Sequence, residues 1–204
     1  MLDGEQPLTR AGRRVLDAAS GLFYESGINP VGVASIAETA GVTKKTLYDC
    51  FGSKDALVVQ YLHTRHRRWW EHLERRLAET REPRPLALFD AYFDHPEIDS
   101  SRGCAFLNAA AELAADHPAL EIVREHKRAV RGRLGELVAE ACPGADPGAV
   151  DDLSETLFLL IEGATAQLRL GGPGHVRTAR RLAAEHLGRL AVTPEAAPAV
   201  SPFD

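Results

Sequence analysis

The chain has only three cysteines among its 204 residues, Cys50, Cys104 and Cys142. They are too few and too scattered for a disulfide framework or a zinc-ligand set. Long apolar runs are missing too. No window approaches 18 consecutive apolar residues, which excludes a transmembrane helix and any membrane partner that needs one. The first twenty residues alternate Arg, Asp and Glu with single apolar positions, without the unbroken apolar core of a secretory signal, so a cytoplasmic location is expected. Positive charge is not in excess. A formal net charge of −5 excludes a protein that coats nucleic acid by bulk electrostatics, but leaves room for a small DNA-reading surface on an acidic body. What remains, 45% hydrophobic and 26% charged residues, is the balance of a globular chain with one large domain or two small ones.

Sustained period-two alternation is absent, and nearly every segment shows three-and-four spacing, so the chain reads as all-α. A first helix is expected from Thr9 to Ser26, with Val15, Ala18, Ala19, Leu22 and Phe23 on one stripe and Gly27 as its stop. Two short helices follow, Val33–Ala40 and Thr43–Phe51, separated only by Gly41-Val42. Ser53 is placed to cap a long helix, Lys54–Thr80, with Asp55 in its first turn where a carboxylate suits the helix dipole. Beyond Pro85 the spacing predicts a short helix (Leu86–Phe93), a polar loop (Asp94–Arg102), and helices at Gly103–Ala115 and Pro118–Cys142. The last two helices, Gly148–Leu170 and Gly174–Val192, are joined by a short Gly/Pro link and should pack as an antiparallel hairpin. Residues 193–204, rich in Pro and Ala without periodicity, read as a disordered tail.

The short helix pair carries the chemistry. A tight glycine turn between two helices is the geometry that presents the second one to a DNA major groove. In VASIAETAGVTKKTLYDCF, Ile36, Ala37, Ala40, Val42, Leu47 and Phe51 form the inward set. The helical wheel then turns Lys45, Tyr48 and Asp49 outward, with Lys44 and Thr46 on the flanks. A hydroxyl, two amines and a phenol on one exposed face suit phosphates and base edges. Lys54 opens the next helix, where it can hold a phosphate beside the N-terminal amides. By pattern alone the pair is either such a reader or a plain helical hairpin. Charge does not decide, because residues 1–55 hold six Lys/Arg against seven Asp/Glu. Residues 56–82, with six Arg against four Glu, add some positive field.

Residues from about Arg13 to Leu62 resemble the DNA-binding domain of the tetracycline repressor (TetR) family of bacterial regulators. The resemblance rests on VLDAASGLFYESG and IAETAGVTKKTLYDCFGSKDAL, with the AGV turn, Thr46-Leu47-Tyr48, Phe51 and Ser53-Lys54-Asp55-Ala56-Leu57 in register. GCAFLNAAAEL at 103–113 and LIEGATAQL at 160–168 are similar to one type of C-terminal domain in that family. The resemblance implies a homodimer with two helix-turn-helix heads on a palindromic double-stranded operator, and a small-molecule effector cavity in each C-terminal body. It places Lys44 and Lys45 against bases, and Thr43, Thr46, Tyr48 and Lys54 against phosphates or sugar edges. Three positions depart from the pattern. Gly32 stands where a capping Ser or Thr is common, Ala34 where many members carry a base-reaching Arg, and Asp49-Cys50 where basic, histidine or aromatic residues are usual. Lys44 and Lys45 are therefore expected to carry an unusual share of direct readout.

Elsewhere the constellations are less pointed. Cys104, Asn108 and Glu112 share one helix face, either as a polar strip in a cavity or as an interior network that orients helices. Cys104 has no base or oxyanion site indicated nearby, so no enzyme is expected. His63, His66 and His72 lack a Cys or carboxylate at matching helical spacing and read as a solvated basic face rather than a metal site. Trp69, Trp70, Phe89, Phe93, Phe106, Asn108, Glu112, Phe158 and Glu162 are the candidate effector lining, which implies a mostly apolar ligand with one or two polar anchors. Apolar positions wider than one stripe on the penultimate helix point to a homodimer through residues 148–192.

The sequence thus predicts an all-α chain with a three-helix helix-turn-helix DNA-binding domain at 1–55 and a helical effector-binding and dimerisation domain at 56–192. The expected function is that of a sequence-specific transcriptional regulator, a repressor released by its effector, without a cofactor or metal. The alternative is a helical small-molecule-binding protein or enzyme that does not bind DNA.

Overall fold

The computed structural model describes residues 8–94, 102–171 and 174–192, which form nine α-helices and no strand among them. They are α1 (Arg10–Ser26), α2 (Val33–Ala40), α3 (Lys44–Phe51), α4 (Lys54–Glu79), α5 (Arg84–Ala91), α6 (Ala105–Glu112), α7 (Ala119–Ala141), α8 (Pro147–Gly171) and α9 (Gly174–Val192). Most of the expected 94–102 loop and the 193–204 tail lie outside the described residues.

Side-chain caps set the helix starts. Thr9 Oγ1 accepts from the Gly12 amide at 3.0 Å, Thr43 Oγ1 from Thr46 at 3.1 Å and Ser53 Oγ from Ala56 at 3.0 Å. Each satisfies an amide that has no partner within its helix. Two spans, α5 and α6, differ from the sequence expectation by more than a residue at an end. α5 begins at Arg84 rather than Leu86, because Pro85 occupies its first turn, where a missing N–H costs nothing. α6 stops at Glu112, since Leu113 takes an extended backbone (φ −84°, ψ 145°).

Two compact units emerge: residues 1–71 with 102–127, and residues 72–101 with 128–204. Neither follows the sequence division at residue 55. In the first unit, α1, α2 and α3 pack on one another around Val15, Ala19, Phe23, Ile36, Ala37 and Leu47. The same core includes Leu57, Val58, Tyr61 and Leu62 of α4, Phe106 and Ala109 of α6, and Ile122 and Val123 of α7. Helix α6 and the start of α7, far downstream of the helix pair, therefore belong to the body that holds it.

In the second unit, α8 packs along α9, as their short link requires, and α5 packs on α9. Leu153, Leu157, Ile161 and Ala164 of α8 are buried, as are Ala179, Ala183 and Leu187 of α9. Arg180 of α9 reaches α5 through a two-point contact with Asp90, Nε to Oδ1 at 2.6 Å and Nη2 to Oδ2 at 2.9 Å. Those hydrogen bonds raise the guanidinium pKa, which keeps Arg180 charged.

Leu47 is wholly buried at the centre of the first unit and is the side chain that seats α3. Leu47→Ala should destabilise that unit by about 2–5 kcal/mol, read from urea unfolding. A shift of the midpoint too small to measure would mean that α3 is not held by the core.

Candidate nucleic-acid interface

α2 ends where Gly41 adopts a left-handed conformation (φ 61°, ψ 42°). Its amide bonds Glu38 O and the following Val42 amide bonds Ala37 O, each at 2.9 Å, closing the helix with the paired bonds of a glycine C-cap. The chain enters α3 three residues later. A Cβ at Gly41 would be strained by φ and would run into the Arg14 guanidinium. That guanidinium, from α1, donates to Gly41 O at 3.1 Å and fastens the turn to the unit.

With Leu47 and Phe51 buried, α3 presents its other side to solvent. Thr43, Lys44, Lys45, Tyr48 and Asp49 are exposed, and Thr46 is half-buried with its hydroxyl 2.9 Å from that of Thr43. Lys45 is tied down: its Nζ lies 2.8 Å and 3.1 Å from the two carboxylate oxygens of Asp49, one helical turn on. Lys44 carries no ion pair among the described residues. Lys54, at the start of α4, is half-buried and donates to Asn29 O at 3.4 Å. The structure thus gathers five of the six DNA-contact candidates onto α3 and its cap, with Lys54 beginning the next helix. The partner of Asp49 is a signal that the sequence carried in its i, i+4 spacing. Cys50 is half-buried, with its sulfur 3.9 Å from Thr9 Oγ1.

The nine effector candidates divide between the units. Trp69, Trp70, Phe106, Asn108 and Glu112 fall in the first, and Phe89, Phe93, Phe158 and Glu162 in the second. Asn108 donates to Arg102 O at 3.1 Å, and Glu112 accepts from the Asn29 amide at 3.0 Å, so both polar members have protein partners. Phe89 is buried and stacks at a tilt on half-buried Phe93, 5.5 Å between centroids. Phe158 and Glu162 are half-buried on α8. An open groove of about 1130 Å³ in the first unit is lined by Arg13, Asp17, Cys50, Gln60, Thr64 and Arg68 among others, and by none of the nine.

The histidines are not the solvated face expected from the sequence. His72 is buried and bonds Asp94 at 3.4 Å, and His63 and His66 are half-buried. His66 Nδ1 instead meets Nδ1 of His126, at 3.0 Å. His126 lies flat on Phe106 (3.8 Å between centroids) and edge-on to Trp69. Nothing in the charged run EIVREHKRAV marked His126 as a core residue, yet it is 1% exposed. Burial holds its pKa well below the ordinary histidine value, helped by the charge of Lys127 and by His66. Burial also lowers His66, against the raising effect of Glu125. Among the described residues, no group of three or more His, Cys, Asp or Glu is placed to hold a metal ion. No helix among them is long and apolar enough to cross a membrane.

Two short helices around a left-handed glycine, the second exposed and lysine-bearing, backed by a third helix, define a helix-turn-helix head. A family model described as bacterial regulatory proteins of the tetR family matches residues 15–61. An uncharacterized HTH-type transcriptional regulator of Mycobacterium tuberculosis is 37% identical over 73 residues, a stretch that spans 36% of this chain and 36% of that relative's own length. The HTH-type transcriptional regulator BetI of Burkholderia ambifaria is 25% identical over 191 residues, covering 92% of this chain and 96% of its own. A crystal structure of a TetR-family transcriptional regulator from Streptomyces coelicolor superposes with a TM-score of 0.81 at 27% identity, over 90% of this chain and 97% of that one. Residues 15–61 therefore match the DNA-binding head of the TetR family, and the chain shares the fold of a TetR-family regulator over most of its length.

Both members of the His66–His126 pair have pKa values lowered by folding. The unfolded chain therefore binds more protons below about pH 6.5, the ordinary histidine value. Stability should be full above that pH and fall as pH drops toward the lower native values. Urea unfolding between pH 8 and pH 5 should show the decline, and His126→Gln should flatten it. An unchanged pH slope in that variant would contradict the assignment.

Proposed function

We propose that this chain is a sequence-specific DNA-binding transcriptional repressor that acts as a homodimer and leaves its operator when a small-molecule effector binds. The α3 face carries this reading: Lys44, Lys45 and Tyr48 stand exposed one turn beyond a rigid glycine corner, with Thr43 and Thr46 hydroxyls at the helix start. Lys44 and Lys45 read base edges, while Thr43, Thr46, Tyr48 and Lys54 hold phosphates and sugar edges. The head, reader and caps fall within residues 1–55, and the effector-binding and dimerisation function within 56–192.

The dimer reading draws on α8. Leu153, Leu157 and Ile161 are buried, while Leu159 is 60% and Leu170 80% exposed, with exposed Gly163 and Ala166 between them. Those four positions recur at helical spacing and make a second apolar stripe, the shape of a self-complementary helix contact. Two heads joined there suit a palindrome whose half-sites lie about one DNA turn, roughly 34 Å, or a multiple of it, apart. The proposed effector contacts are, in the first unit, Trp69, Trp70, Phe106, Asn108 and Glu112, and in the second Phe89, Phe93, Phe158 and Glu162, each set taken by itself. A mostly apolar ligand releases the operator if it prefers the dimer arrangement that DNA does not by about 1–3 kcal/mol.

Binding to DNA that flanks its own gene, followed by fluorescence anisotropy at fixed salt, tests the reading. Lys44→Ala or Lys45→Ala should weaken binding by about 1–3 kcal/mol, with Lys45 nearer the lower end because it must first leave Asp49. Lys54→Ala should weaken binding across sequences and lower the salt slope by about one. Unaltered affinity in both α3 variants would overturn the base-contact assignment.

Leu159→Glu places a charge on the exposed stripe without entering the core. Light scattering should show a folded monomer where the wild type is a dimer, with operator affinity lost. A wild type that is monomeric at working concentration would sink the dimer.

A further inference from the structure

α6 lies within the first unit and is fastened at both ends. At its start, Tyr24 of α1 donates its hydroxyl proton to Gly103 O at 3.1 Å and accepts from the Arg102 amide at 2.9 Å, while the Arg102 guanidinium bonds Tyr24 O. At its end, Glu112 grips the α1–α2 loop from two sides. Its carboxylate accepts from the Asn29 amide at 3.0 Å, and its carbonyl accepts from the Asn29 side-chain amide at 2.8 Å. Gly27, which ends α1 at φ 93°, makes room for this carboxylate: a Cβ there would lie 2.9 Å from both of its oxygens.

The loop held in this way holds Lys54 in turn, through Asn29 O. Asn29 thus uses its amide and side chain toward α6 and its carbonyl toward the first residue of α4. A second tie runs alongside, His117 Nε2 to Asp55 Oδ1 at 3.5 Å. Ring nitrogen Nδ1 of His117 accepts from the Ala119 amide, which leaves Nε2 as the protonated nitrogen.

We infer that Glu112 is a positioning residue for DNA binding, setting the Lys54 ammonium against the backbone phosphate through the Glu112–Asn29–Lys54 contacts; the inference rests on the DNA-binding reading above. Its physical content is that α6 and Lys54 move together. When α6 keeps its place, the loop carbonyl steadies a long, otherwise rotatable amine near its point of use. When α6 shifts, Asn29 loses two hydrogen bonds at once and the amine loses its support. The contacts include one charge-assisted bond, from the Asn29 amide to a carboxylate.

A double-mutant cycle on DNA affinity separates this role from a general contribution to folding. Glu112→Ala should weaken binding about tenfold, the size of one lost hydrogen bond to a charged group, and lower the salt slope as Lys54→Ala does. In the Lys54→Ala background the same change should have little further effect. Glu112→Gln, which keeps an acceptor for the Asn29 amide, should bind nearly as well as the wild type. Should the alanine variant not fold, Glu112→Asp, one methylene too short to reach, takes its place in the cycle. Equal losses in both backgrounds, or an unchanged salt slope, overturn the positioning role while leaving DNA binding intact. A wild type with no affinity for duplexes from its own flanking DNA overturns the DNA-binding reading, and the positioning role with it.

Discussion

At Gly41 the backbone passes through the left-handed region, and the direction of α3 follows from that one residue. A side chain there would meet both an unfavourable φ and the Arg14 guanidinium. Because the turn is closed by its own backbone bonds and pinned from α1, α3 has little freedom to pivot about it. Burial of Leu47 and Phe51 then fixes which way the helix is rolled. These constraints decide which side chains face outward before any question of DNA arises. Lys44 and Tyr48 are exposed because the inward positions are already taken.

Much of this was legible in the chain. Helix positions followed from apolar spacing, and the helix pair from the AGV turn between two short periodic runs. What escaped were features made by residues distant in sequence. α6 joins the core of the first unit through Phe106 and Ala109, but local pattern cannot say which body a helix completes. His126 lies in a run of charges and is nevertheless buried, because Phe106 and Trp69 surround its ring and His66 satisfies one nitrogen. Glu112 faces the α1–α2 loop, and only the tertiary fold brings residue 112 to residue 29. Asp49 is different. Its spacing to Lys45, one helical turn, is readable as an ion pair from the sequence alone.

Each unit has its own buried apolar core and its own polar ties. The first rests on a continuous apolar core plus a few buried polar contacts around Tyr24 and His126. The second buries Leu73, Leu88, Phe89, Leu134, Leu137 and Leu157, and ion pairs tie its elements, Arg180 of α9 with Asp90 of α5 and Arg133 of α7 with Glu74 of α4. Such pairs contribute little as isolated surface contacts. A half-buried, two-point guanidinium contact such as Arg180–Asp90 adds direction, setting how α5 lies on α9.

The Lys45–Asp49 pair bears on how such a regulator would find its site. A carboxylate on the reading face cancels part of the sequence-independent attraction to phosphates, the term that dominates binding to ordinary DNA. A genome offers on the order of 10⁶–10⁹ competing positions. A head with muted charge dwells briefly at each of them, and less of the protein is sequestered away from its operator. What such a face gives up in raw affinity it would return as less protein held on non-operator DNA.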